Sequence, residues 1–154
     1  MQKITTFLTY NDQAEDAARL YTSLFPDSAI TRVTRYPAAG PMPAGQVMTV
    51  EFSLAGQQYV ALNGGPHFTF TEGMSLSVAC ENQAEIDRLW AALTADGGRP
   101  DQCGWLQDRF GVSWQIMPAN MGALMRGDTP EQAERRMQAM LRMHKIDIAA
   151  LEQA

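Results

Sequence analysis

Polar and apolar residues alternate with a period of two through the middle of the first half of the chain. Met48, Val50, Phe52 and Leu54 interleave with Val47, Thr49, Glu51 and Ser53. Ala55-Gly56 then makes a turn, and residues 57–62 return as a partner strand. Such alternation predicts a hairpin with one buried face, and it places Glu51 on the solvent side. Residues 4–10 and 29–36, β-branched and aromatic, predict two further strands. Between them Ala14, Ala17, Ala18, Tyr21, Leu24 and Phe25 recur at helical spacing, with Asn11-Asp12 as the expected cap and Pro26-Asp27 as the stop.

The second half repeats the sequence of elements. A strand is predicted over 74–80, and a helix over 82–95 with Ile86, Leu89, Trp90 and Leu93 on one face, ended by Gly97-Gly98. Short strands follow over 102–107 and 112–117, joined by a turn at Asp108-Arg109-Phe110-Gly111. Particular residues recur as well. Gln13-Ala14-Glu15 returns as Gln83-Ala84-Glu85, an offset of 70, and Leu20-Tyr21 as Leu89-Trp90, an offset of 69. The Gly56/Tyr59 spacing returns as Gly111/Trp114, an offset of 55. The falling offset locates extra residues in the first half, where the Pro-, Gly- and Ala-rich loop at 37–45 lies. The chain therefore reads as two βαβββ modules, an α+β fold, with module one at about 1–65 and module two at about 66–118. A helical arm at about 119–154 completes it. Thr129-Pro130-Glu131-Gln132 is a capping box with proline at the first helical position. Met137, Met140, Leu141 and His144 form an apolar stripe, expected to be buried against the body or a second subunit.

Composition narrows the function. The chain has 154 residues with 12 Lys+Arg against 17 Asp+Glu, a net charge of −5, which argues against a nucleic-acid partner. No apolar run reaches bilayer length, and no secretory signal opens the sequence, so no membrane partner is expected. Cys80 and Cys103 form no CxxC and read as reduced thiols of a cytoplasmic protein. No Gly-x-Gly occurs, which removes the usual dinucleotide or S-adenosylmethionine cradle, and no cofactor is expected. Gly40 and Gly45 have P-loop spacing, but Gln46 stands where lysine is required. There is no HExxH and no Gly-x-Ser-x-Gly, and His67 and His144 are 77 residues apart.

The run from Gly104-Trp105-Leu106-Gln107-Asp108-Arg109-Phe110 through Gly111-Val112-Ser113-Trp114-Gln115-Ile116-Met117-Pro118 resembles the signature of the PhnB-like branch of the vicinal oxygen chelate superfamily. That superfamily includes the glyoxalases, bleomycin-resistance proteins and extradiol dioxygenases. Phe7-Leu8-Thr9-Tyr10-Asn11, Leu24-Phe25-Pro26, Leu62-Asn63-Gly64-Gly65-Pro66 and the tail from Met140 to Leu151 fit the same branch. The resemblance implies paired βαβββ modules curled around a central cavity, in a homodimer. It also implies four metal-ligand positions, on the first and last strand of each module. These fall on Thr5, Val60, Gly73 or Met74, and Gln115. That set lacks the anionic and imidazole ligands that hold Zn, Ni, Fe or Mn, so no metal is expected.

A small organic molecule, planar or amphipathic, is the expected ligand, bound without metal; antibiotic sequestration is one version of this. Its cavity would be lined by Thr5, Phe7, Val60, Leu62, Gln115 and Met117, with Trp105 and His67 at the mouth. Several of these residues also have plain structural readings. Gln115 either orients a ligand or satisfies a neighbouring backbone group. Trp105 either stacks on a ligand or closes the barrel end, and His67 is either a ligand contact or an exposed loop residue. Trp114 is expected in the core, and Asp108 in the service of its own turn. The loop at 37–45 is either a mobile lid or a tolerated insertion. Three rival functions remain: a metal-dependent lyase or dioxygenase, the 3-demethylubiquinone 3-methyltransferase named by the family label, and a protein-interaction module acting through the methionine-rich arm.

Overall fold

Both halves of the chain run strand, helix, three strands, as the repeated pattern predicts. The structure, a computed structural model, describes residues 1–154, which form two units, Met1–Thr69 and Phe70–Ala154. In the first unit β1 (Thr6–Tyr10) leads to α1 (Ala14–Leu24), then β2 (Ala29–Arg35), β3 (Val47–Leu54) and β4 (Gln57–Asn63). The sheet order is β1-β4-β3-β2, with β1 and β4 parallel and the other neighbours antiparallel. In the second unit β5 (Leu76–Cys80), α2 (Gln83–Thr94), β6 (Arg99–Pro100), β7 (Trp105–Gln107) and β8 (Ser113–Pro118) build a sheet of order β5-β8-β7-β6. The two topologies are the same, which is the duplication expressed as structure.

Each sheet buries one face against its own helix. In the first unit Tyr10, Val50, Phe52, Tyr59 and Ala61 pack with Ala14, Ala17, Ala18 and Tyr21 of α1, all buried. Small residues on α1 let the helix approach closely, and the Phe52 ring stacks on Tyr59 at 5.6 Å between centroids. The predicted cap of α1 is corrected by the structure. Gln13 occupies the cap position without a side-chain bond, and the Ala14 N–H donates to Asn63 Oδ1 at 2.9 Å. Asn63, buried at the end of β4, also donates from Nδ2 to the Val47 carbonyl, and its own carbonyl accepts from Tyr36 Oη. The Leu62-Asn63-Gly64 run thus joins two strands to the start of the helix, satisfying an otherwise orphaned helix donor.

In the second unit Ile86, Leu89 and Leu93 of α2 are buried, as are Cys80, Leu106, Trp114 and Ile116 of the sheet. Asn82 caps α2 by accepting from the Glu85 N–H, and Glu85 in turn accepts from the Glu81 N–H. The strand expected over 102–107 is shorter than its pattern suggested. Gln102, Cys103 and Gly104 form a turn, closed by Asp101 N–H to Trp105 C=O and by Trp105 N–H to Gln102 C=O. Cys103 and Gly104 both have positive φ, 58° and 85°.

That turn seats the arm, which consists of α3 (Met121–Arg126), α4 (Pro130–Met140) and α5 (Ile148–Gln153). The Cys103 and Gly104 N–H groups donate to the Met143 and His144 carbonyls at 2.8 and 2.7 Å. A Cβ at Gly104 would lie 2.9 Å from Ile146 Cγ1 and 3.0 Å from the Ile116 carbonyl, so only glycine permits this approach. From α2, the Gln83 side chain donates to the Ile146 carbonyl and accepts from the Ile148 N–H. Beside it Lys145 Nζ, 2.7 Å from Asp87, holds that exposed carboxyl below its usual range, aided by Gln83. The arm has its own core of Leu124, Ile146 and Leu151, with Met140 and Met143 packed against it. Of the expected stripe, Met137, Leu141 and His144 stay exposed. No helix is long and apolar enough to cross a membrane.

Candidate functional site

Strand register fixes which side chains share the helix-free face of each sheet, because residues paired across a ladder point to the same side. In the first unit one row across the sheet runs Arg32, Glu51, Val60, Phe7. The next runs Thr34, Thr49, Leu62, Thr9. The face is therefore graded. Its β2–β3 side is polar, with Thr34 and Thr49 hydroxyls hydrogen-bonded to each other and Arg32 Nε 3.8 Å from Glu51 Oε2. Its β4–β1 side is apolar. Phe7 and Val60 are register partners, and Leu62 lies in the neighbouring row. Thr5 lies just before β1, and His67 is exposed in the loop after β4. Glu51 stands on this same helix-free face beside Val60, its side chain 43% exposed. Period-two alternation separates two faces but cannot show that the second face carries function.

In the second unit the corresponding rows bring Ser77, Gln115 and Trp105 together, with Ala79 and Met117 one step along. Trp105, Gln115 and Met117 are half-buried. Gln115 Nε2 donates to Ser75 Oγ at 2.9 Å. Trp114 points the other way, into the core, and its Nε1 donates to Asp108 Oδ2 at 2.9 Å. The buried Asp108 also accepts from the Phe110 and Val112 N–H groups through Oδ1, so it fixes its own turn. Arg109 lies over the Phe110 ring at 4.7 Å.

Register also resolves the uncertain ligand position at Gly73 or Met74. Val60 pairs with Phe7 and Gln115 pairs with Ser77, so Phe7 corresponds to Ser77 and, two residues earlier, Thr5 corresponds to Ser75. The four positions are therefore Thr5, Val60, Ser75 and Gln115. They supply two hydroxyls, a hydrocarbon and an amide already bonded to one of those hydroxyls. No group of three or more His, Cys, Asp or Glu side chains gathers to hold a metal ion. These residues do not fit a catalytic divalent metal, which takes imidazole or anionic ligands. Nor do they fit S-adenosylmethionine. The turn from β1 into α1 has no glycine, and Asn63 already occupies the helix's first donor.

Comparison with known proteins agrees with this architecture. The family model described as 3-demethylubiquinone-9 3-methyltransferase matches residues 2–117. A PhnB protein from Bacillus cereus is 40% identical with a TM-score of 0.70, the match covering 77% of this chain and 100% of that one. The protein PA1353 from Pseudomonas aeruginosa is 22% identical with a TM-score of 0.61, over 75% of this chain and 96% of that one. The trypanothione-dependent glyoxalase I of Leishmania major shares the fold at 13% identity and a TM-score of 0.51, over 90% and 96% of the two chains. No curated protein matches the chain.

Proposed function

The chain belongs to the 3-demethylubiquinone-9 3-methyltransferase family, PhnB-like members of the vicinal oxygen chelate superfamily, and from that membership we propose a metal-independent binder of a small organic molecule. The observation that carries this reading is the Ser75–Gln115 hydrogen bond. Where relatives with metal chemistry need two charged or imidazole ligands, this unit places two neutral groups that satisfy each other. The remaining lining offers apolar surface with few, neutral polar groups, which suits an uncharged or amphipathic organic ligand. The binding residues are Phe7, Val60 and Leu62 on the first unit, with Thr5 and His67 at their margin, and Trp105, Gln115 and Met117 on the second. The proposed working state is a cytoplasmic homodimer.

The test is a thermal-shift screen of organic fragments, run with and without chelator, followed by elemental analysis. Ligands should raise the melting temperature equally in both buffers, because binding to the native state alone stabilises it. Near-stoichiometric metal that disappears in Gln115→Ala would overturn the reading. Calorimetric titration with S-adenosylmethionine should show no binding heat, separating this reading from the methyltransferase named by the family.

A further inference from the structure

We propose that the helix-free face of the first unit holds a slot for a flat aromatic ring, gripped between Phe7 and Phe68, for a ligand whose other end is an amine. The inference deepens the binding reading above and rests on it. Phe7 and Phe68 are 56% and 55% exposed, unusual for phenylalanines on an ordered sheet and the loop beside it.

The position of Phe68 is built in rather than incidental. A Cβ at Gly64 would come within 2.8 Å of the Phe68 ring and 2.7 Å of Thr9 Cγ2, so glycine is what lets the ring lie against this edge of the sheet. Gly64 itself is fixed by donating its N–H to the Tyr10 carbonyl at 2.8 Å. Phe68 thus stands beside Thr9 at one end, while Phe7 stands two residues before Thr9 on the same face. Two residues of strand rise set Phe7 about 6.6 Å along the face from Thr9, whose edge Phe68 borders, so the two phenyl groups flank the same stretch of the face. Thr9 and its register partner Leu62 form the floor.

Charge sets the other end of the ligand. Along the row from Phe7, through Val60, the next side chain is the Glu51 carboxylate, two strands or about 9.6 Å away. Its approach to Arg32, at 3.8 Å, is longer than a hydrogen bond, and Arg32 lies on the edge strand with its side chain 70% exposed. The carboxylate therefore retains accepting capacity towards a donor arriving along the face. A protonated amine on a short tether from the ring satisfies it.

Three probes separate ring from charge: tryptamine, indole-3-acetate and 2-cyclohexylethylamine. Titration of the methyl-labelled full chain, followed at Thr9 and Leu62 by NMR, should show tryptamine binding most tightly of the three. Phe7→Ala, Phe68→Ala and Phe68→Leu should each weaken tryptamine about five- to tenfold, the worth of one good aromatic contact. Gly64→Ala should do the same by displacing Phe68, and Glu51→Gln should abolish the preference for the amine over the acid. The slot is overturned if the saturated amine binds as tightly as tryptamine. It is equally overturned if Phe68→Ala leaves tryptamine unaffected, or if millimolar tryptamine moves neither methyl. The wider binding reading fails separately, when no compound of the fragment screen raises the melting temperature.

Discussion

The Asp108 carboxylate is buried and accepts from two backbone N–H groups and the Trp114 indole. Asp108→Asn keeps the shape but replaces one acceptor oxygen with a donor, leaving the indole or the turn unsatisfied. A loss of about 2–3 kcal/mol in urea unfolding is expected, with fragment affinity at the first unit unchanged. Cys80 makes a second prediction. Burial, and after it the Glu85 charge, pushes its thiol from 9.0 up to about 11. The native thiol stays neutral while the unfolded one ionises. Stability should therefore fall as pH rises from about 9 towards 11, and Cys80→Ala should flatten that fall. At pH 8 a disulfide reagent should spare Cys80 until the protein is denatured.

Arg136 of α4 reaches the carbonyls of Leu124 and Glu152, at the ends of α3 and α5, while its Nε is buried without a partner. It therefore holds two helix C-termini, where carbonyls lack intrahelical donors. Arg136→Met should cost about 2–3 kcal/mol, and hydrogen exchange should speed up first in α3 and α5. The loop at 37–45 has a pinned base, since Tyr36 N–H donates to Gln46 C=O, Gly45 N–H to Tyr36 C=O and Arg35 Nη1 to Gly45 C=O. A lid and a plain insertion differ in one readout: shortening a lid should raise a bound fragment's dissociation rate while leaving the melting temperature nearly unchanged, whereas shortening an insertion should leave the rate as it was. Elements like β3, β4 and α2 were legible in the sequence because their signals are local: a period of two, a turn, Asn82 before a helical stripe. The cap of α1 was not, because Asn63 supplies it from a distant strand. Ser75 and Glu51 escaped for the same reason. Their significance depends on which residue lies across a ladder, and no local window contains the partner.

Light scattering at micromolar concentration should give a dimer mass; a monomer would count against the proposed assembly. The exposed Met137 and Leu141 on the arm are the first positions to change if it does, and Met137→Glu with Leu141→Glu should shift the mass towards monomer if the arm contributes. The shared strand order has a further consequence, for synthesis on the ribosome. Thr6 must wait for Tyr59, and Leu76 for Trp114, before either parallel pair can form. The first unit has all its strands once residue 69 has emerged, and the second also needs the arm's Ile146 to fill the space beside Gly104. The nascent chain therefore passes through an interval in which one module is closed and the other is still an unpaired strand and a helix. Codon-level slowing between the modules should favour correct folding, and the sheet edge of β5 is where premature association with another chain would begin.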